Sequence, residues 1–75
     1  MNWNNIDNQI RIIYGDQFAN IPKPFERKFI IGAIADEFPQ FSRIRIAVAV
    51  DQCFKINAMP ISRSTLLTFI QSSLW

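Results

Sequence analysis

The amino-acid sequence predicts an all-α fold, a compact bundle of four short helices that form one domain over residues 1–75. Glycine and proline residues divide the chain into four segments of helical length, because these residues begin or end helices. Within the segments, apolar residues recur at intervals of three and four, which is the period of a helix. Serine residues suited to helix capping precede two of them. The expected helices cover residues 3–14, 24–38, 43–56 and 63–74.

The first segment, residues 3–14, places its apolar side chains in one narrow arc at 100° per residue. These side chains are Trp3, Ile6, Ile10, Ile13 and Tyr14. Asn2 is suited to the N-cap, and Gly15 to the C′ position after the helix. The connection that follows is expected to turn Phe18 and Ile21 inward.

The second segment, residues 24–38, is predicted to form a helix with two apolar faces. Pro24 suits the first helical position, and Pro39 ends the helix. One face carries Ile30, Ile34 and Phe38, and the other carries Phe25, Phe29 and Ala33. A surface helix needs only one apolar stripe, so we expect this helix to be covered from two sides.

The third segment, residues 43–56, permits two interpretations. Four β-branched residues alternate with Arg and Ala, which is typical of a strand; they are Ile44, Ile46, Val48 and Val50. A helix is favoured because Ser42 is placed to cap it, and because the segment continues without a turn signal. The helix would bury Ile46, Val50, Cys53 and Phe54. It would leave Ile44 and Val48 on the polar side.

The fourth segment, residues 63–74, repeats the pattern with Ser62 as its N-cap. Its apolar stripe consists of Leu66, Leu67, Phe69, Ile70 and Leu74. The first and fourth helices thus have one apolar face each, whereas the second and third have two. This difference predicts that the second and third helices are sandwiched between the other two.

The composition argues against an enzyme, a metal site and a cofactor. The chain has no His, so it lacks the commonest general base and the usual activator of a nucleophile. Its one cysteine, Cys53, excludes a disulfide within the chain and makes a zinc site improbable. With two glycines there is no glycine-rich phosphate loop. We therefore expect no catalytic residues, no metal and no cofactor.

The sequence also bears on location. The longest uncharged apolar run, residues 29–35, is too short to cross a bilayer, so we expect no membrane contact. The first five residues lack the basic and apolar regions of a signal peptide. One unpaired cysteine fits a reducing compartment, which makes the cytoplasm the expected location.

The surplus of apolar faces predicts a protein partner, and one pattern predicts that the partner is a second copy of the chain. Lys28, Gly32 and Asp36 follow one another at intervals of four on one stripe. Two copies of this helix crossing antiparallel at Gly32 would pair Lys28 of each with Asp36 of the other, as a two-fold contact requires. Ile44 and Val48 are further interface candidates. The alternative is that Gly32 only allows a close helix crossing within one chain.

A second interpretation is a small helix-turn-helix protein that binds nucleic acid. In it, the third helix enters a DNA groove, and basic and amide side chains contact phosphates and bases. The candidate residues are Arg43, Arg45, Gln52, Lys55 and Arg63. A net charge of +2 is slight for a dedicated nucleic-acid binder. The competing explanation is that serine caps are simply followed by solvated arginines.

Overall fold

Four helices account for most of the computed structural model, which describes residues 3–75. They are α1 (Trp3–Tyr14), α2 (Pro24–Glu37), α3 (Arg43–Ile56) and α4 (Arg63–Leu74), and two short strands, β1 (Gln17–Phe18) and β2 (Ile61–Ser62), accompany them. The all-α bundle is therefore confirmed. α1, α3 and α4 have the predicted bounds, and α2 ends one residue earlier, at Glu37. Asn2, the predicted cap of α1, lies outside the described residues.

Local capping explains where the helices begin. Ser42 Oγ accepts a hydrogen bond from the backbone N–H of Arg45 at 3.1 Å. Ser62 Oγ accepts one from the backbone N–H of Thr65 at 3.0 Å. Each hydroxyl thus satisfies one of the N–H groups that a helix start leaves without a partner. The strand interpretation of residues 43–50 is wrong.

The helices bury the faces that the sequence predicts as core. The buried apolar residues of α2, α3 and α4 include Ile30, Ile34, Ile46, Val50, Cys53, Phe54, Leu66, Leu67, Ile70 and Leu74. The second apolar face of α2 is only partly covered. Ala33 is buried and Phe29 is half-buried, but the Phe25 side chain is 70 % exposed.

The helices are arranged as the predicted sandwich with one further contact. α2 packs against α1 and α3, and α3 packs against α2 and α4, so each of the two is covered from two sides as predicted. α4 also packs against α1, and the four helices therefore close around a shared core. Every helix keeps one face directed away from this core.

The connection between α1 and α2 contains a feature that the sequence did not predict. β1 and β2 pair antiparallel, with Gln17 opposite Ser62 and Phe18 opposite Ile61. This pairing turns Phe18 into the core, where it is 3 % exposed. The loop then leaves the sheet, and Ile21 is 67 % exposed, so the prediction for Ile21 is wrong.

Two predictions for the end of α1 have different outcomes. Gly15 follows the helix with φ +71°, the left-handed conformation expected at C′. Ile13 is 53 % exposed, so its predicted burial is wrong. It lies at the edge of the apolar arc, and Tyr14 takes the inner position by stacking on Phe18, with ring centroids 4.8 Å apart.

Candidate docking surface

Two large apolar side chains of α3 point away from the core. Ile44 is 78 % exposed and Val48, one turn further along the helix, is 52 % exposed. They lie on the opposite side of α3 from its buried residues. Together with residues of α4 they line a shallow groove of about 250 Å³, whose other walls include Gln52, Ser73 and Leu74. This groove is apolar with polar edges.

The predicted stripe on α2 also lies at the surface. Lys28 and Asp36 are exposed, and Gly32 between them is half-exposed. A Cβ atom added to Gly32 would meet only one atom of another segment within 4 Å among the described residues, Nη1 of Arg43 at 3.8 Å. A close crossing of two helices would bring backbone or core atoms there. Helix packing within the chain therefore does not explain Gly32.

Arg43 lies between the two sets of residues, because it begins α3 directly before Ile44 and its guanidinium approaches Gly32 of α2, whereas the groove at Ile44 and Val48 is bounded by α4. We define the docking surface as Lys28, Gly32, Asp36, Ile44 and Val48. None of the ion pairs within residues 3–75 involves Lys28 or Asp36. Both charges are therefore free to meet a partner.

An ion pair joins the two helices that carry this surface. Arg27 of α2 donates two hydrogen bonds to the Asp51 carboxylate of α3, from Nε at 2.7 Å and from Nη2 at 2.9 Å. The hydrogen bond from Arg27 lowers the pKa of the Asp51 carboxyl below its ordinary value. The charge of Asp51, which the sequence places on the outer side of α3, is thus matched by Arg27.

The residues of the nucleic-acid interpretation do not form one patch. Arg43, Arg45, Gln52 and Lys55 are exposed on α3, with Arg45 and Gln52 beside the Ile44 groove and Lys55 beside a different groove. The Arg45 guanidinium lies over the Phe41 ring, 5.3 Å from its centroid.

Arg63 lies elsewhere, with its side chain 18 % exposed, and it donates to Asp7, Asp16 and the Gly15 carbonyl. Its charge is already neutralised by two carboxylates, which argues against a phosphate contact.

An aromatic cluster at one end of the bundle was missed by the sequence analysis. The Trp75 ring lies 4.7 Å from Phe41, 5.1 Å from Phe38 and 5.8 Å from Trp3. The Trp3 and Phe38 rings are also in contact, 5.0 Å apart. These residues come from α1, the turn before α3 and the residue after α4. Periodicity relates residues within one helix, so it could not have brought them together.

Cys53 is buried, and burial raises the pKa of its thiol, an effect that a hydrogen bond from Asn57 partly opposes. A raised pKa disfavours the thiolate that nucleophilic attack needs.

Within residues 3–75, no three His, Cys, Asp or Glu side chains gather where they could hold a metal ion. Nor does any described helix have the length and apolar character needed to cross a membrane.

Comparison with protein-family models, with curated proteins and with solved structures finds no match to this chain.

Proposed function

We propose that this chain is a non-enzymatic protein-binding module that associates with itself through the docking surface. The observation that supports this most is the exposure of Ile44, 78 %, with Val48 beside it on the same outer face of α3. Single exposed apolar residues are ordinary on a protein surface. Two on adjacent turns, lining an apolar groove with polar edges, are typical of a surface that a partner covers.

The size of the domain supports the same proposal. A bundle this small buries a smaller fraction of its apolar surface than a larger domain does, and association is one way to bury more. Large apolar side chains also remain exposed elsewhere, namely Ile12 on α1, Phe25 on α2 and Ile56 at the end of α3. We place the module in the cytoplasm, because its one thiol is unpaired and fits a reducing compartment.

Dilution followed by NMR tests the proposal on the unmodified chain. Amide spectra recorded between about 1 mM and about 20 µM should show concentration-dependent shifts, the range in which a small interface dissociates. We expect the largest shifts in α2 and α3, at the docking surface. Spectra that do not change with concentration, or shifts confined to the outer faces of α1 and α4, would contradict it.

Binding of nucleic acid is the alternative proposal, supported by the exposed Arg43, Arg45 and Lys55. Random duplex DNA added at low salt distinguishes the two. An interface dominated by contacts to DNA phosphates should shift the amide resonances around these residues. Its affinity should fall steeply as the salt concentration rises. Unchanged spectra at low salt would eliminate this alternative, whereas self-association should persist without DNA.

A further inference from the structure

We propose that a second copy of this chain docks on the outer face of α2, with the two α2 helices antiparallel and crossing at Gly32. This contact rests on the proposed function, because it is the self-association described above, now centred on α2. An antiparallel crossing places side by side those residues that are equally far from Gly32 in opposite directions. Lys28 of each copy then faces Asp36 of the other.

The space at Gly32 fits such a crossing. Small residues at a helix crossing let two backbones approach closely, and glycine allows the closest approach. Gly32 is half-exposed, and within the described residues only the end of the Arg43 side chain lies near it. Because Arg43 is exposed and in none of the ion pairs among the described residues, its guanidinium can move aside for a second helix. In the single chain, Gly32 thus lowers the stability of α2, although no other described helix packs closely against it.

The charges on this stripe disfavour the single helix and favour the antiparallel pair. A helix has a positive N-terminal end and a negative C-terminal end, so it prefers acidic residues early and basic residues late. α2 has the reverse order on this stripe, with Lys28 nearer its start and Asp36 in its last turn. In the antiparallel pair, Asp36 lies beside the first half of the partner helix, and Lys28 lies beside the second half.

A large exposed side chain extends the same stripe. Phe25 stands seven residues before Gly32, which returns to the same side of a helix, and it is 70 % exposed. In the crossing it meets the region of Pro39 of the second copy, which is also exposed. Since one pair of short helices covers less than the roughly 800 Å² per partner of a standard interface, the dimer should be weak.

Charge reversal tests this geometry, because the two Lys28–Asp36 pairs are equivalent. We would measure sedimentation equilibrium from about 5 to 500 µM and expect a wild-type dissociation constant on the order of 100 µM. Lys28→Asp and Asp36→Lys alone should each raise it at least about tenfold, since two attractive pairs become repulsive. The double variant restores opposite charges and should return to within about threefold of wild type.

Two further variants serve as a test of the crossing point and as a control. Gly32→Gln adds a good helix former at the crossing and should abolish association while leaving circular dichroism and thermal unfolding intact. Arg11→Asp on α1 makes the same change in net charge as Lys28→Asp, but on an exposed side chain away from α2 and α3, and should associate like wild type.

A wild-type chain that stays monomeric at 500 µM would overturn both this dimer and the self-association of the proposed function. If the wild type associates but neither charge reversal nor Gly32→Gln weakens it, the crossing at Gly32 is wrong and another face carries the contact. Restoration by the double variant supports the crossing, because a merely structural role for either charge would not be rescued by reversing the other.

Discussion

Arg63 connects three parts of the chain through one side chain. Its Nε donates to Asp7 of α1 at 2.6 Å, and its Nη1 donates to Asp16 at 2.9 Å and to the Gly15 carbonyl at 2.8 Å. Since the Arg63 side chain is 18 % exposed, these bonds are partly shielded from water. Hydrogen bonds to charged groups in such positions contribute more than exposed surface pairs.

We predict that Arg63→Ala lowers the free energy of unfolding by about 2 kcal/mol, measured by urea denaturation. Arg63→Lys keeps the charge but not the planar donor geometry, so it should lie between alanine and wild type. Arg43→Ala is the matched control, because Arg43 is exposed and in none of the ion pairs among residues 3–75. Equal losses in Arg63→Ala and Arg43→Ala would contradict this role.

The Arg27–Asp51 pair predicts a pH dependence. Arg27 lowers the pKa of Asp51 in the folded chain, so the pair contributes stability above the ordinary aspartate pKa, and this is lost as the pH falls below about 4. The two side chains are 40 % and 54 % exposed, so water screens the pair and its contribution to the free energy of unfolding should be small.

Asp51→Asn should therefore be less stable than wild type at pH 7, and the difference should shrink towards about pH 3, measured by urea unfolding. The matched control is the same substitution in an Arg27→Gln background, where the ion pair is absent and Asp51→Asn should change the free energy of unfolding little at either pH. A difference for Asp51→Asn that is the same at both pH values would show that the ion pair is not its cause.

At the scale of the elements, the serine caps decide where α3 and α4 begin. Ser42→Ala and Ser62→Ala each remove a hydroxyl that accepts a backbone N–H of the first turn. We expect each to lower the free energy of unfolding by about 1 kcal/mol in chemical denaturation. Ser72→Ala, in the exposed last turns of α4, should change it by less than about 0.5 kcal/mol. Cap variants that behave like Ser72→Ala would contradict this account.

These caps also explain how much of the fold the sequence could predict. Ser42, Ser62 and Pro24 act on the residues directly after them. The signals that set these helix starts are therefore local, and the sequence predicts them. The cap at Ser42 outweighed the strand-like alternation of Ile44 and Val48. The β1–β2 pair joins residues far apart in the chain and has two residues per strand, too few for a recognisable alternation.

The candidate site was predictable in part, for a similar reason. The helical period places Ile44 and Val48 opposite the buried face of α3, and the structure finds both exposed. Which helices meet is a property of the whole chain, and so the contact of α1 with α4 was missed. The surroundings of Gly32 and the ion pairs of Arg63 also depend on which segments meet in the folded chain, so the sequence did not predict them.

For the whole molecule, closure of the four helices leaves each with an outer face, and those of α2 and α3 meet at Arg43 and Gly32. The outer face of α1 bears amides such as Asn8 beside the exposed Ile12, and that of α4 bears hydroxyls such as Thr68. Only the α2 stripe combines a glycine with two opposite charges placed symmetrically about it. We therefore assign the contact with a second copy to this stripe.

Disulfide crosslinking across the Lys28–Asp36 pair tests this assignment most directly. A disulfide forms only where two Cα atoms come within about 7 Å, and the crossing places position 28 of one copy opposite position 36 of the other. Cys53 is buried and can remain in place. Under mild oxidation at about 100 µM, near the expected dissociation constant, a mixture of Lys28→Cys and Asp36→Cys should form a covalent heterodimer, because the second Lys28–Asp36 pair remains intact. A mixture of Lys28→Cys and Asn8→Cys should not crosslink, and a 28/36 mixture that crosslinks no faster than this control would contradict the crossing.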